Sequence, residues 1–523
     1  MKQGNPTIID AFTRTQKNII KCPILWKAKP ITQDIEEKMA EKIALDLVVK
    51  FCEILAAKKI DYCHWKSNSF LDRSASGDND LDLLVNLAHA QRFTEILYGA
   101  GFKEALLPKD EEISGVRNYY GCDQKTGRLI HVHAHFQLIL GNDLSKNYRL
   151  PLEQVYLQSS VQQDLFRVPA PEFELVVLVI RMVLKHSTWD SILMRHGQLS
   201  SSERYELNDL LTEEALAKVE TVLLHLPGLS RNLFDLCLQS LQPGCSFWTR
   251  IKAGEQLQKV LQACARHPQW LDIVLKFSHR IWQPILRRVF RYTSKNRFAN
   301  GGLFIAIVGG DGAGKTTVID GLYRWLSKTY EVKKIHMGKP VWSWTTTIVR
   351  GILKIGTFLR LYSFEGDVYE ESLQPHGYPW FIRTVCTARD RYQTYIQARR
   401  FSSNGNLVLC DRYPFPGFMK MDGPQCESAV TSSKKTNRFI QFLVNKEKSY
   451  YEQIKAPDLL IVLKLDPEVA VQRKVDETAI SVRARSSEVW NSDWVELSAF
   501  EVDGNKSKEE ALSQIKAIVW EHL

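Results

Sequence analysis

Residues 304–317, with the sequence FIAIVGGDGAGKTT, constrain the fold of this 523-residue chain more than any other stretch. Gly309, Gly314, Lys315 and Thr316 satisfy the pattern G-x-x-x-x-G-K-[ST], with an apolar β-type run before it and a helical pattern after it. In that context the pattern is typical of a strand that passes through a phosphate-binding loop into a helix. The chain is therefore expected to contain an α/β domain with this loop at the end of a strand.

The residue types of the loop suit phosphate binding. Its glycines leave backbone N–H groups unobstructed, and a helix beginning near Lys315 adds unpaired N–H groups and the positive end of its dipole. We expect Lys315 to reach the β- and γ-phosphates of a triphosphate and the Thr316 hydroxyl to ligate Mg²⁺. The alternative is a glycine-rich turn between a core strand and a core helix. The residues expected to bind nucleotide are Gly309, Gly310, Asp311, Gly312, Ala313, Gly314, Lys315, Thr316 and Thr317.

Asp311 is the unusual residue of the loop because it carries a negative charge where a polyanion would bind. The carboxylate of Asp311 and a bound phosphate group would repel each other, so the acid is unfavourable unless it faces away from the phosphates. We therefore predict that Asp311 points to another part of the site, for example a hydroxyl group of a substrate.

Length and composition set outer limits on the fold and the environment. The chain exceeds what one hydrophobic core normally supports, so two or three domains are expected. Its 69 Lys and Arg against 59 Asp and Glu give a net charge of +10, which is compatible with phosphorylated ligands or nucleic acid and requires neither. The ten cysteines are scattered without a C-x-x-C pair, and no secretory apolar segment lies near Met1, which predicts a reducing cytoplasm. The apolar runs are short, so no membrane-spanning helix is expected.

The patterning divides the chain into four parts. Residues 1–35 mix prolines with polar residues and predict a loosely held N-terminal arm, and residues 36–150 hold an α/β pattern. Residues 151–300 predict a helical region that ends in a linker, and residues 301–523 alternate apolar strands with helical segments. Strands separated in this way predict a parallel sheet with helices on both faces and ligands at the carboxyl ends of its strands.

A second informative block, HWKS followed by GDNDLDLLV, lies within residues 64–85. Asp80 and Asp82 share one face of a predicted strand there, and two such carboxylates can hold Mg²⁺ against a triphosphate. The block resembles the nucleotidyltransferase superfamily, whose pattern joins a small-residue turn, a D-x-D strand and a third carboxylate on a later strand. Lys66 and Ser67 stand in place of the usual Gly-Ser turn.

A histidine-rich run, LIHVHAHF, stands where that resemblance predicts the third carboxylate. On a strand, His131, His133 and His135 would share one face. They could join Asp80 and Asp82 at a metal ion or act on a phosphate group. Alternatively, they are solvated or core-edge histidines in a domain that does not transfer nucleotides. The sequence leaves the chemistry of this region open.

Residues of about 303–523 resemble the thymidylate kinase family of P-loop nucleoside monophosphate kinases. The loop GGDGAGKTT is similar to that family's phosphate loop. Residues 388–393 (ARDRYQ), followed by the strand end 411–413 (DRY), reproduce the family's order of helix and strand. Residues 466–470 (DPEVA), together with three arginines that follow, are similar to the family's helix and arginine-bearing lid. The arginines of this lid-like region are Arg473, Arg483 and Arg485.

The resemblance implies ATP- and Mg²⁺-dependent phosphoryl transfer to a small-molecule acceptor, in the first place a nucleoside monophosphate. It implies that Arg391 and Arg412 hold the acceptor phosphate, and that Asp411 lies near Mg²⁺ or the acceptor. Asp311 would approach the sugar of the acceptor, and the lid arginines would close over the transferring group. Phosphoryl transfer itself requires cations from several directions. The residues expected to be catalytic are Lys315, Asp411, Arg412, Arg483 and Arg485.

The segments that would recognise the acceptor depart from that family. Residues 336–344 (HMGKPVWSW) replace an R-E-P-G-G-T-like segment, residues 414–417 (PFPG) replace a serine-containing one, and residues 345–378 have no counterpart. A sugar-type acceptor, such as a nucleotide-linked sugar, therefore stays open. A nucleotide-gated regulatory or assembly protein is a second hypothesis. A third is a nucleic-acid binder that uses the basic segment 280–297, with an affinity that falls steeply with salt.

Overall fold

A computed structural model describes most of the chain after its N-terminal segment. The predicted N-terminal arm, residues 1–35, lies outside the described residues, and so do residues 360–376 of the stretch without a counterpart. The described residues are 44–108, 111–142, 145–188, 192, 198–289, 295–359, 377–415, 423–431, 437–474 and 478–523.

The chain forms two compact units, and each is discontinuous in sequence. The first combines Lys66–Ser76 and Ala170–Val260 with Met1–Ala44, of which only Ala44 is described. The second combines Leu45–Trp65, Gly77–Pro169 and Leu261–Leu523. Most of the predicted helical region therefore belongs to one unit, and both large sheets belong to the other.

Residues 44–108, 111–142 and 145–170 alternate short strands and short helices, as the α/β pattern predicts. Alternating apolar positions specify the central strands β2 and β5, which contain Asp82 and the three histidines. The elements are α1 Asp46–Ala57, β1 Tyr62–His64, α2 Leu71–Ala75, β2 Leu81–Val85, α3 Ala90–Gly99, β3 Lys103–Leu106, β4 Val116–Cys122, β5 Leu129–His135, β6 Leu138–Leu140, β7 Tyr148–Leu150, α4 Glu153–Gln158, β8 Val161–Gln163 and β9 Phe166–Val168.

Helices dominate the following region, although the hairpin β8–β9 precedes them. The apolar spacing over residues 202–226 predicts one helix, but the structure has two, because Leu211 leaves the helical conformation and the Thr212 side chain accepts the Ala215 N–H as the cap of the next helix. No helix in the described part of the chain is long and apolar enough to cross a membrane. The helices are α5 Pro171–His186, α6 Ser201–Leu210, α7 Glu213–Leu223, α8 Arg231–Ser240, α9 Phe247–Val260 and α10 Gln269–Arg288.

The C-terminal region contains the predicted strand, loop and helix in that order. Its strands are short and its helices longer, which is typical of crossover connections. The elements are β10 Arg297–Phe298, β11 Leu303–Gly309, α11 Lys315–Leu326, β12 Val332–His336, α12 Trp344–Phe358, α13 Tyr378–Ser403, β13 Leu407–Asp411, α14 Cys426–Thr431, α15 Arg438–Glu452, β14 Leu459–Lys464, α16 Pro467–Arg473, α17 Ala479–Asn491, β15 Phe500–Asp503 and α18 Lys508–His522.

The C-terminal strands form a five-stranded sheet in the order β12-β13-β11-β14-β15, and every neighbouring pair is parallel. Alternate side chains of β11 enter two separate cores. Ile305 and Ile307 pack with residues of α11 and α18, whereas Phe304 and Ala306 pack with residues of α13 and α17. The prediction of a parallel sheet among helices is thereby confirmed.

The N-terminal strands form a six-stranded mixed sheet in the order β1-β2-β5-β4-β3-β10. Strand β10 lies in the stretch predicted as a linker, and it pairs with β3. The ring of Phe298 in β10 stacks on Tyr330 at 4.0 Å between ring centroids, and Phe298 belongs to the same core as α11 and α18. The two sheets of the second unit therefore share a hydrophobic core.

Candidate functional site

The loop between β11 and α11 has a backbone that favours glycine at two positions. Gly312 has a φ of 77° and Gly314, the N-cap of α11, has a φ of 85°. A Cβ atom added to Gly314 would meet nothing within 4 Å, so the requirement there is conformational and not steric. A glycine N-cap supplies no side-chain acceptor to the first-turn N–H groups, which suits this helix end to an anion.

Gly309 and Gly310 are required for a different reason, which the sequence did not indicate. A Cβ atom on Gly309 would lie 2.8 Å from the carbonyl oxygen of Leu463 in β14. One on Gly310 would lie 2.8 Å from the hydroxyl of Ser486 in α17. These two glycines allow the loop to pack closely against its neighbours, and Ser486 is a loop contact that only the folded chain reveals.

Lys315 is buried at the start of α11, and its ammonium bridges the loop. The Nζ atom donates to the carbonyl oxygens of Gly309 at 2.9 Å and Gly310 at 2.8 Å. Burial and, to a lesser degree, the charge of Arg412 lower the pKa of Lys315 to about 8, against the opposing effect of the nearby carboxylates. Thr316 follows on the exposed side of the first turn.

Asp311 is 3% exposed, and its carboxylate pairs with two of the arginines predicted to be catalytic. Arg485 of α17 places Nη2 2.6 Å from Oδ2, and Arg412 places Nη2 3.6 Å from Oδ1. Arg412 itself has a φ of 58°, directly after β13. The acid is therefore compensated by internal cations, and its contact with a substrate stays a prediction.

Asp411 is the last residue of β13 and lies at the carboxyl ends of the parallel strands, as the phosphate loop does. Parallel pairing places it beside Ile307 of β11 and His336 of β12. Its Oδ1 atom is buried and accepts no hydrogen bond from the residues that the structure describes. A buried carboxylate oxygen without a donor is unfavourable unless a cation binds it. Asp411 thus fits the predicted role of Mg²⁺ ligand.

Arg391 is buried in α13, and its donors contact the chain that follows β12. Nε donates to the Met337 carbonyl at 2.8 Å, Nη2 to the Gly338 carbonyl at 3.3 Å, and Nη1 to the Tyr451 hydroxyl at 2.5 Å. Arg391 therefore fixes the segment that departs from the thymidylate kinase pattern. Its predicted contact with an acceptor phosphate stays a prediction.

Two lid arginines that were expected to act together point to different places. Arg485 is buried against Asp311, whereas Arg483 is exposed and forms a bidentate ion pair with Glu468 at 2.7 Å for both contacts. The hydrogen bonds of this pair raise the pKa of Arg483 and lower that of Glu468. Residues two apart on a helix do not face the same side, which explains the divergence. The remaining lid arginine, Arg473, donates to the Gly504 carbonyl at 3.1 Å.

The acidic and histidine-rich strands of the N-terminal sheet are direct neighbours. The parallel pairing of β2 with β5 aligns Asp82 with His133, and His133 Nδ1 lies 3.0 Å from Asp82 Oδ1. His131 Nδ1 lies 3.0 Å from Asp80 Oδ1, and His135 Nε2 lies 3.3 Å from His133 Nδ1. Desolvation raises the pKa of Asp80, but the hydrogen bond and charge of His131 outweigh it and leave the pKa below its usual value. The two patterns singled out in the sequence thus meet at one face.

The turn at Ser67, which was compared in the sequence with the small-residue turn of the nucleotidyltransferase pattern, binds protein carboxylates. Ser67 has a φ of 61°, and its N–H donates to Glu206 Oε1 at 2.9 Å. The N–H of Asn68 donates to Glu174 Oε1 at 3.4 Å, and Arg181 donates to both oxygens of Glu206 at 3.2 Å. Burial raises the pKa of Glu174 to about 8. The donors of this turn are therefore already used by the chain.

Comparisons with known proteins give partial and distant similarity. No protein-family model matches the chain. The uncharacterized ATP-binding protein YghS of Escherichia coli strain K12 is 27% identical over 223 residues, which cover 41% of this chain and 91% of that protein. The uncharacterized ATP-binding protein YghR of the same strain is 24% identical over 41% of this chain and 86% of its own. A thymidylate kinase structure from Candida albicans, 20% identical, covers 43% of this chain and 94% of its own with a TM-score of 0.29.

Proposed function

We propose that this chain binds ATP at the loop of residues 309–317 and transfers a phosphoryl group to a small-molecule acceptor. The observation that carries the proposal is the meeting of two parallel strand ends. Strand β11 leads into the loop and Lys315, and the adjacent strand β13 ends in Asp411 and Arg412. The similarity to two proteins described as ATP-binding supports ATP as the donor.

The described residues suggest how the donor would be bound. Phosphate oxygens would accept from the first-turn N–H groups of α11 and would replace the carbonyls of Gly309 and Gly310 as partners of the Lys315 ammonium. Asp411 and Thr316 would hold Mg²⁺, which neutralises charge on the phosphates when it is bound.

The arginines around Asp311 suggest how the acceptor would be bound. Arg485 compensates the acid at 2.6 Å, so the negative charge of Asp311 repels a bound polyanion less. Arg412 is half-buried and its Nη2 lies 3.6 Å from Asp311 Oδ1, so an acceptor phosphate bound beside Asp311 would lie close to its guanidinium. We favour a nucleoside monophosphate as the acceptor, with a sugar-type acceptor as the alternative.

The test measures ATP binding by calorimetry and ADP release by a coupled assay, with Mg²⁺ and a panel of nucleoside monophosphates and sugar phosphates. We expect one acceptor class to accelerate ADP release, and we expect Lys315→Ala and Arg412→Ala each to lower that rate at least about a hundredfold. Arg400→Ala is the matched control, because Arg400 is exposed on α13, and its rate should equal that of the unmodified chain.

Two results would contradict the proposal in different ways. If the unmodified chain does not bind ATP, the loop is a structural turn and the proposal is wrong. If ATP binds tightly and Lys315→Ala abolishes binding, but no acceptor accelerates ADP release, phosphoryl transfer to these acceptors is excluded and the nucleotide-gated regulator becomes the better hypothesis.

A further inference from the structure

We propose that Asp82, His133 and His135 form a binding site for a divalent first-row transition-metal ion on the N-terminal sheet. This site is separate from the phosphate loop, and it does not depend on the function proposed above. One donor atom from each of the three residues lies within 4.8 Å of the other two.

The distances between the donor atoms suit direct coordination. Ligand atoms held about 2.0–2.1 Å from a tetrahedral ion lie about 3.3 Å from one another. Asp82 Oδ1 lies 3.0 Å from His133 Nδ1, and His133 Nδ1 lies 3.3 Å from His135 Nε2. An ion would therefore need little movement of the strands. Both strands are central in the sheet, so their backbone fixes the three Cβ positions.

The type of donor atom decides the class of ion. Mg²⁺ prefers oxygen ligands throughout, whereas two imidazole nitrogens and one carboxylate are the donor set of zinc and related transition-metal ions. The histidines stand on the strand where the sequence resemblance predicts a third carboxylate. This replacement favours a transition metal over the Mg²⁺ that two aspartates alone would indicate.

The surroundings hold the rings in place. Trp65 meets the ring of His135 edge-on, with 5.0 Å between centroids and 68° between planes. On the other side, the ring of His133 stacks on that of His131 with 5.6 Å between centroids, and His131 in turn stacks on Tyr120 at 4.4 Å. Such outer contacts orient metal ligands, and they limit the rotation that would separate the donor atoms.

A cavity gives access to this face of the sheet. It has a volume of about 1230 Å³, and its lining includes one proposed ligand, His133, together with the neighbouring Asp80 and His131. A site with three protein ligands beside an open cavity leaves a coordination position for water or a substrate, unlike a closed structural site with four protein ligands. The expected role of the ion is therefore to activate a bound water or polarise a bound ligand.

The test is metal binding by the full chain. After dialysis against chelator, the protein is titrated with Zn²⁺ by calorimetry, and the Co²⁺-loaded protein is examined by visible absorption. We expect one ion per chain at this site, and we expect His133→Ala and Asp82→Asn each to weaken Zn²⁺ binding more than about tenfold. His225→Ala removes an exposed histidine on the turn after α7 and should bind Zn²⁺ like the unmodified chain.

Asp82→Asn makes the test decisive, because the amide has the size of the carboxylate and can still hydrogen bond to His133. Its fold is checked by circular dichroism. The proposal is overturned if the folded Asp82→Asn chain retains the Zn²⁺ affinity of the unmodified chain. It is also overturned if the unmodified chain binds neither Zn²⁺ nor Co²⁺, or if Mg²⁺ displaces Zn²⁺ at equal concentration.

Discussion

The turn at Ser67 and the phosphate loop have similar backbones but opposite surroundings. Each enters a helical turn through left-handed residues, with a φ of 61° at Ser67 and of 77° and 85° at Gly312 and Gly314. At Ser67 the N–H donors bind the carboxylate of Glu206 and, at Asn68, that of Glu174. At the loop the N-cap is a glycine without an acceptor, and the cations Arg412 and Lys474 lie near Lys315 together with the carboxylates of Asp311 and Asp411.

The comparison shows that a left-handed turn before a helix is not by itself an anion site. The donors must also be left for a ligand, and the local charge must be positive. The acidic residues at the Ser67 turn and in the phosphate loop also have different environments. Burial raises the pKa of Glu174 to about 8, whereas Asp311 is paired with Arg485 and Arg412.

The largest expected effect comes from removing the carboxylate that the Ser67 turn binds. Glu206→Ala removes the acceptor of the Ser67 N–H and leaves the guanidinium of Arg181, whose side chain is 16% exposed, without this partner. We expect the free energy of unfolding to fall by about 3 kcal/mol, because an uncompensated buried charge is costly. Denaturant titration, monitored by circular dichroism, measures the free energy of unfolding of the variant and of the unmodified chain.

The same variant tests whether the Ser67 turn differs from the phosphate loop only because a protein carboxylate occupies it. With the carboxylate gone, the donors of the turn and Arg181 resemble an open anion site, so inorganic phosphate should stabilise Glu206→Ala more than the unmodified chain. Glu220→Ala, at an exposed position of α7, is the control and should change neither property. Equal stability of Glu206→Ala and the unmodified chain would show that the carboxylate does not hold the turn.

A second, smaller effect separates backbone conformation from packing at the loop. Gly314 and Gly301 have φ values of +85° and +99°, and an added Cβ atom at either would meet nothing within 4 Å. Alanine at each should therefore carry a similar strain of about 1–2 kcal/mol. We expect Gly314→Ala alone to weaken ATP binding, by about ten- to thirtyfold, as relaxation of the strain distorts the loop.

Calorimetry of both variants with ATP and Mg²⁺ measures that difference. Gly301→Ala is the matched control, since it has the same strain outside the loop. If both variants bind ATP like the unmodified chain, the left-handed conformation of Gly314 is not what prepares the loop for phosphate.

The smallest effect concerns the pH dependence of ATP binding. The pKa of Lys315 is lowered to about 8 by burial and by Arg412, and a bound polyanion would raise it again. Binding therefore takes up a proton once the pH exceeds about 8. We expect the affinity to be nearly constant below pH 7 and to fall about tenfold between pH 7 and pH 9.

Calorimetry at several pH values, in buffers of different ionisation enthalpy, checks both the affinity and the proton uptake. Lys315→Arg keeps the charge at every pH in this range and should bind ATP with an affinity that changes little between pH 7 and pH 9. An affinity of the unmodified chain that rises with pH would contradict the assignment of Lys315 to the phosphates.

The strand, loop and helix of the C-terminal sheet could be predicted because their signals are contiguous. An apolar run, a glycine-rich loop and an amphipathic pattern follow one another within residues 303–326. Strands β13 and β14 also follow from apolar runs. Strand β15 was not predicted, because it lies at the edge of the sheet and buries only Val502, so its sequence shows no apolar run.

The contacts that distinguish the two turns could not be predicted, because they join distant parts of the sequence. Glu206 lies 139 positions from Ser67, and no local pattern relates them. The pairing of Arg485 with Asp311 depends in the same way on the orientation of α17. Periodicity shows that Arg483 and Arg485 diverge on that helix, but it does not show which of them faces the loop.

Strand β10 has only two residues, but it lies where the two sheets of the second unit share a hydrophobic core. Phe298 stacks on Tyr330, and Trp520 of the last helix donates its indole N–H to the Gly101 carbonyl at 3.0 Å. A recombination event that divided the gene near residue 300 would expose aromatic rings on one or both products. In this chain the two sheets are therefore expected to unfold in a single cooperative step.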